Sequence, residues 1–231
     1  MGKRDEARAE NTQRILRAAR GEIARVGGVG LSMRAVARAV GMVSSAVYRY
    51  FPTREDLLTA MILESYGALA TELQRTAVGV RDRPDHERWT ALADALRDWG
   101  LASPHEFQLI YGTPIPGYVA PPETVRAAAA VAAPFLDCVG TRTVEGFERA
   151  GSAEGMRDLA VEAGTHPTGA AATVAALSEL VGFVGHELSG HFAGLAEPGT
   201  DLYRAVVGRQ VRALRLAGGQ VEGDDDEVVR S

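Results

Sequence analysis

The chain has 231 residues, 46% of them hydrophobic, and a net charge of −5, enough apolar material for one sizeable core or two small ones. Its single cysteine, Cys138, excludes an internal disulfide and fits a reducing, cytoplasmic setting. The opening MGKRDEARAE is charged and no 18 apolar residues run uninterrupted, so neither a signal peptide nor a membrane span is expected.

In chain order, residues 1–11 read as a mobile, charged arm. Thr12 is a suitable N-cap for an amphipathic helix, with Ile15, Leu16, Ala18, Ala19, Ile23 and Val26 at helical spacing. Gly27, Gly28 and Gly30 end it, and this GGVG lacks the Lys-Ser/Thr pair of a phosphate-binding loop. Ser32 then caps a very short helix whose apolar face is Val36, Ala37 and Val40. Gly41 sits where the chain must reverse, a position suited to a residue that tolerates φ > 0. A second short helix spans about Ser44 to Tyr50. Helix, glycine-containing turn, helix is the helix-turn-helix pattern, whose second helix enters the DNA major groove. Pro52 stops that helix. Thr53 caps a long helix running to about Ala77, with Leu57, Leu58, Met61, Ile62, Leu69 and Leu73 on its apolar face.

Charge is distributed unevenly. Residues 1–54 carry 11 Arg/Lys and 4 Asp/Glu, a balance of +7, whereas the remainder carries 14 and 26, a balance of −12. A basic end on an acidic chain fits a protein that touches a polyanion with that end only.

The run S-M-R-A-V-A-x-x-x-G-M from Ser32, followed by S-S-A-V-Y-R-Y-F from Ser44 and x-x-R-E-D-L-L, resembles the DNA-binding domain of TetR-family transcriptional regulators over about residues 12–60. The Tyr48-x-x-Phe51 pair followed by Arg54-Glu55-x-Leu57 is its most diagnostic part. One position departs from the family pattern: Val43 stands where Ser or Thr usually caps the recognition helix. Ser44 is the alternative cap, which would shift the helix start by one residue.

Beyond a polar break at residues 79–85, a helix over about 86–101 carries Trp89, Leu92, Leu96 and Trp99, and Pro104 opens a shorter one, HEFQLIYG. A Pro- and Gly-rich loop, TPIPGYVAPP, follows with Tyr118 inside it. Pro122 opens a helix expected to reach about Ala150 and to kink at Pro134. A small acidic helix over about 153–163 precedes two long ones, over about 168–192 and 200–217. The tail, residues 219–231, is too polar to pack. The segment from Asp98 to Pro122 resembles the ligand domain of the WHG-domain regulators within the same family. Of the Trp, His and Gly that name that subfamily, only Gly182 stands in LSELVGFVGHELSGHF.

The expected architecture is all-α, with about nine to ten helices in three regions. Residues 1–54 form the arm and helix-turn-helix, residues 55–218 a ligand-binding and dimerisation domain, and the acidic tail ends the chain. The helix over residues 54–77 connects the first two.

DNA roles follow from reach. Ser32 and Arg34, at an exposed helix start, suit a phosphate, as do the hydroxyls of Tyr48 and Tyr50 and the Arg54 guanidinium. Ser44, Ser45, Ala46 and Arg49 are the candidates for base edges, with Arg49 suited to a bidentate guanine contact. The resemblance implies a homodimer through the last two long helices. The first of these helices carries apolar residues around more than one face, Val174, Leu177, Leu180, Val181, Val184 and Leu188, which calls for burial on several sides. The resemblance also implies a small-molecule effector. Trp89, Trp99, Phe107, Tyr111, Tyr118, Phe135, Phe147 and Phe183 are candidates to line its pocket. His166, His186 and Glu187 are the polar candidates.

Enzymatic readings find no support in spacing. His186-Glu187-x-x-x-His191 has its second histidine one residue too late for a zinc motif. On a continuous helix the two rings would point about 140° apart. Cys138 reads as a small buried hydrophobe. No metal, cofactor or catalytic group is expected. The reading is a cytoplasmic regulator, most simply a repressor, that binds double-stranded operator DNA as a homodimer. The alternatives are a ligand-responsive activator of the same fold, an all-α enzyme, and a binding module that has lost DNA contact.

Overall fold

A computed structural model describes residues 2–217, and over them the chain folds into eleven helices with no strand. Helix α1 (Lys3–Val26) is longer than expected, because the arm proposed for residues 1–11 is helical from Lys3 onward. Tertiary contacts hold it. The Arg8 guanidinium lies 5.2 Å from the centre of the Tyr50 ring, and Asn11 donates to the Tyr50 hydroxyl at 3.2 Å. Thr12 does not cap; its hydroxyl donates back to the Arg8 carbonyl within the helix.

Helices α2 (Met33–Ala39) and α3 (Ser44–Val47) form the helix-turn-helix, with Gly41 at φ 71° between them. Ser32 caps α2 by accepting from the Ala35 amide. Val43, not Ser44, occupies the N-cap position of α3, which therefore begins without a side-chain cap. Hydrogen-bonded turns continue past Val47 as far as Phe51. The first core gathers Ile15, Leu16, Ile23, Val36, Val47 and Phe51.

Helix α4 (Arg54–Gly79) starts at a capping box in which the Thr53 hydroxyl accepts from the Asp56 amide and the Asp56 carboxylate accepts from the Thr53 amide. It serves both cores: Leu57, Leu58 and Met61 face the first, Leu69 and Leu73 the second. Helices α5 (Asp85–Ala102), α6 (Pro104–Tyr111) and α7 (Pro122–Val139) pack around it. Helix α7 stops well short of the expected Ala150, because Gly140 leaves the helix at φ 56°. A single turn, α8 (Glu148–Gly151), and α9 (Glu154–Ala163) fill that stretch.

Helix α10 (Pro167–Leu188) begins with Pro167 at its first position, and the His166 ring accepts from the Thr168 amide at 3.3 Å. It ends before the expected residue 192, because the chain turns at Gly190 with φ 74°. Helix α11 (Thr200–Ala213) is likewise shorter than the 200–217 span. By length and composition α10 is apolar enough to cross a membrane, but more than half of its most apolar window is buried in the protein. Leu180 and Val184 belong to the chain's own core, while Val174, Leu177 and Val181 keep partial exposure. The acidic tail, residues 219–231, lies outside the described residues.

Candidate nucleic-acid interface

Helix α3 divides cleanly. Val47 is fully buried and holds the helix on the first core, whereas Ser45, Tyr48 and Arg49 are exposed. Ser44 and Ala46 are half-buried. The start of α2 presents the exposed Arg34. Ser32 spends an oxygen lone pair on its cap and keeps its O–H for a further acceptor.

Two candidates are placed differently from expectation. The Tyr50 ring is half-buried against the first core and its hydroxyl accepts from Asn11, so it holds α1 against the helix-turn-helix. The Arg54 guanidinium does not stand open to a phosphate. It donates to the carbonyls of Leu31 at 3.0 Å, Gly28 at 2.7 Å and Val29 at 3.1 Å. One planar fork thus pins the α1–α2 loop onto the start of α4. Arg54→Ala is expected to cost about 2 kcal/mol, lowering the unfolding midpoint by about 4–8 °C. Arg54→Lys should restore little, because an ammonium has no fork. Circular dichroism melts of both variants check this.

The residues that brace this face were not legible in the sequence, since their partners lie 26 or more positions away. Arg14 donates to the Val40 carbonyl at the end of α2. Arg20 on α1 pairs with Glu64 of α4 at 2.6 Å and approaches Glu106 of α6 at 3.3 Å.

The ten aromatic and histidine candidates for an effector pocket do not converge on one cavity. Trp89 and Phe135 are fully buried and pack edge to face at 5.1 Å. Phe183 is held between Phe192 and Tyr203. Trp99 packs against the second core. His166 is the cap of α10. His186 is exposed, and the turn at Gly190 brings its ring to 5.2 Å from that of His191 instead of directing the two apart. Tyr118 reaches the first core, with its hydroxyl 3.0 Å from that of Thr59. Only Phe107 and Tyr111 line the cavity of about 520 Å³ between α1, α6 and the end of α10. Phe147 lines a separate one of about 450 Å³ beside α10 and α11. Glu187 is engaged by Arg97 in a two-pronged ion pair. Among the described residues no three His, Cys, Asp or Glu gather as a metal-binding group. Burial pushes the Cys138 thiol up to about 12, which leaves it protonated and unreactive near neutrality.

Comparison with known proteins agrees with this architecture. The family model for bacterial regulatory proteins of the tetR family matches residues 15–61, and that for the tetracyclin repressor-like C-terminal domain matches residues 89–210. The HTH-type transcriptional regulators Rv1816 of Mycobacterium tuberculosis (strain ATCC 25618 / H37Rv) and Mb1846 of Mycobacterium bovis (strain ATCC BAA-935 / AF2122/97) are each 38% identical over 151 residues, covering 63% of this chain and 63% of the relative. The chain thus spans about 63% of the length of the curated relatives it matches. The crystal structure of SCO4313 superposes with a TM-score of 0.74 at 29% identity, covering 91% of this chain and all of that one. A TetR variant from Acinetobacter baumannii AYE in complex with minocycline shares the fold alone, with a TM-score of 0.54 at 16% identity over 89% of this chain and 97% of that one. With a helix-turn-helix of this geometry at its start and a family match across more than half its length, the chain belongs to the TetR family of bacterial regulatory proteins.

Proposed function

We propose that the protein is a transcriptional repressor that binds a palindromic operator as a homodimer and is released by a small ligand. The observation that carries this reading is the exposure of Ser45 on α3 and of Tyr48 and Arg49 in the turns that continue it, with Arg34 exposed at the start of α2. Val47 anchors that helix from below, so these side chains stand on a fixed platform. Arg49 reads a guanine through its O6 and N7, and Ser45 and Ala46 contact neighbouring base edges. Ser32, Arg34 and Tyr48 hold phosphates and set the register. The +7 balance of residues 1–54 draws the head to DNA.

The partly exposed Val174, Leu177 and Val181 of α10 and the exposed Leu202 of α11 form the dimer face. Gly182 and Gly185 leave open space where a side chain would stand, which lets two copies of α10 approach closely. A two-fold axis there sets two α3 helices into successive major grooves, about 34 Å apart. Ligand release requires that the effector bind one spacing of the heads better than the other.

Mobility shift with DNA from upstream of the protein's own gene tests the reading. Arg49→Ala should bind matched and scrambled DNA more equally, losing about 1–3 kcal/mol of discrimination. Unchanged discrimination in that variant contradicts the base-reading role of Arg49.

A further inference from the structure

The α6–α7 connection, residues 112–121, leaves the second core and lies across the first. Ile115 and Tyr118 pack there, together with Leu109 of α6. Ile115 seats over Gly28, where an added Cβ would fall 2.7 Å from the Ile115 Cδ1. A strap from the larger unit is thus clipped onto the loop that Arg54 pins at the start of α4.

Beside this clip lies the cavity of about 520 Å³. Ile23, Val26 and Gly28 wall it on the DNA-reading side, and Phe107, Leu109 and Ile115 on the other. Its volume falls within the roughly 300–1,000 Å³ of small-molecule sites. No carboxylate, ammonium or guanidinium group is among its lining residues. The polar side chains that line it are those of His105, Gln108, Tyr111, Thr113 and Ser189. Desolvation pushes the Tyr111 phenol upward, which keeps it a neutral hydrogen-bond donor. A charged ligand would lose its hydration here without gaining a carboxylate, ammonium or guanidinium partner.

We propose that this cavity between the two units is the effector site and that its ligand is an uncharged, mostly apolar small molecule with one or two hydrogen-bonding groups. The proposal rests on the reading of the protein as a ligand-released DNA binder and supplies the place and chemistry of release. A molecule seated there touches α1 and the strap together, so its affinity depends on how the two units stand. Opening the gap between Ile115 and Gly28 lifts the strap and frees the heads to change their spacing.

The 231-residue chain, titrated with the uncharged fluorescent probe N-phenyl-1-naphthylamine, tests this. Ala24 is an exposed α1 residue that lines the cavity, and Thr113 is an exposed loop residue that does the same. The wild type should bind the probe saturably. Ala24→Phe and Thr113→Phe, which fill the cavity from opposite sides, should each weaken it at least tenfold. Glu145→Phe, at the separate cavity of about 450 Å³, should leave binding unchanged. Saturating probe should weaken operator binding at least tenfold in the wild type and leave the two filled variants unaffected. Two filling positions keep the test decisive if one variant fails to fold. Probe binding at wild-type strength in the filled variants, or none in the wild type, overturns the site. Equal binding of the anionic 1-anilinonaphthalene-8-sulfonate at the same site overturns the uncharged class. Operator binding insensitive to bound probe overturns the effector role. A protein that binds probe here but shifts no DNA even without probe overturns the regulatory reading and leaves the cavity assignment standing.

Discussion

Trp89→Ala is expected to cost about 3–5 kcal/mol. The indole is fully buried, packs edge to face on Phe135, and donates from Nε1 to Gln210 Oε1 at 3.1 Å. Gln210 in turn donates to the Ala176 carbonyl at 3.0 Å and to Glu179 at 2.9 Å. One side chain therefore joins α5, α7, α10 and α11. Truncation removes both the ring and the donor that satisfies a buried amide oxygen. Trp89→Phe separates the two effects: it keeps most of the apolar contact and leaves Gln210 without its donor, for about 1–3 kcal/mol. Urea unfolding followed by circular dichroism measures both at fixed protein concentration, since the proposed dimerisation would make the midpoint concentration-dependent. A loss in Trp89→Ala no larger than in Trp89→Phe would contradict the packing role.

The ion pair between α5 and α10 gives the second large effect. Arg97 meets Glu187 through two bonds, Nε to Oε2 at 2.8 Å and Nη2 to Oε1 at 2.6 Å. Both side chains are largely buried, at 12% and 15% exposure. The guanidinium also lies 5.4 Å from the centre of the Tyr203 ring. Arg97→Met strands the Glu187 carboxylate beside the loop at Gly199. That should cost about 3 kcal/mol, the low end for a broken buried pair, because some water reaches both groups. Arg97→Met combined with Glu187→Leu should recover most of the loss. A double-mutant cycle on unfolding free energies reads the coupling directly. Additive losses from the two single changes would show that the pair does not act as a unit.

The helix-turn-helix was legible because its signals are local: the Ser32 cap, the Gly41 turn, and Val36 and Val47 at core spacing. The all-α class followed from the same periodicity farther along the chain. What escaped has distant partners. Nothing near Arg8 or Asn11 announces Tyr50, so the helical start of α1 read as a loose arm. Arg54 read as a phosphate ligand because its three acceptors are backbone carbonyls, which carry no sequence signature. The end of α7 was readable at Gly140, but the alanine-rich run before it masked the stop. The aromatic residues favoured for a pocket are mostly core. The cavity of about 520 Å³ is walled instead by Gly28, Ile115 and the end of α1, which come together only when the two units meet.

DNA reading by a dimer is tested most directly by selection of binding sites from random duplex DNA with the 231-residue chain, followed by anisotropy titration of the winner over a range of salt. The expected result is a two-fold symmetric sequence, two chains per duplex, and an affinity that falls steeply as salt rises. A folded protein that enriches no sequence and binds no duplex at low salt would contradict it.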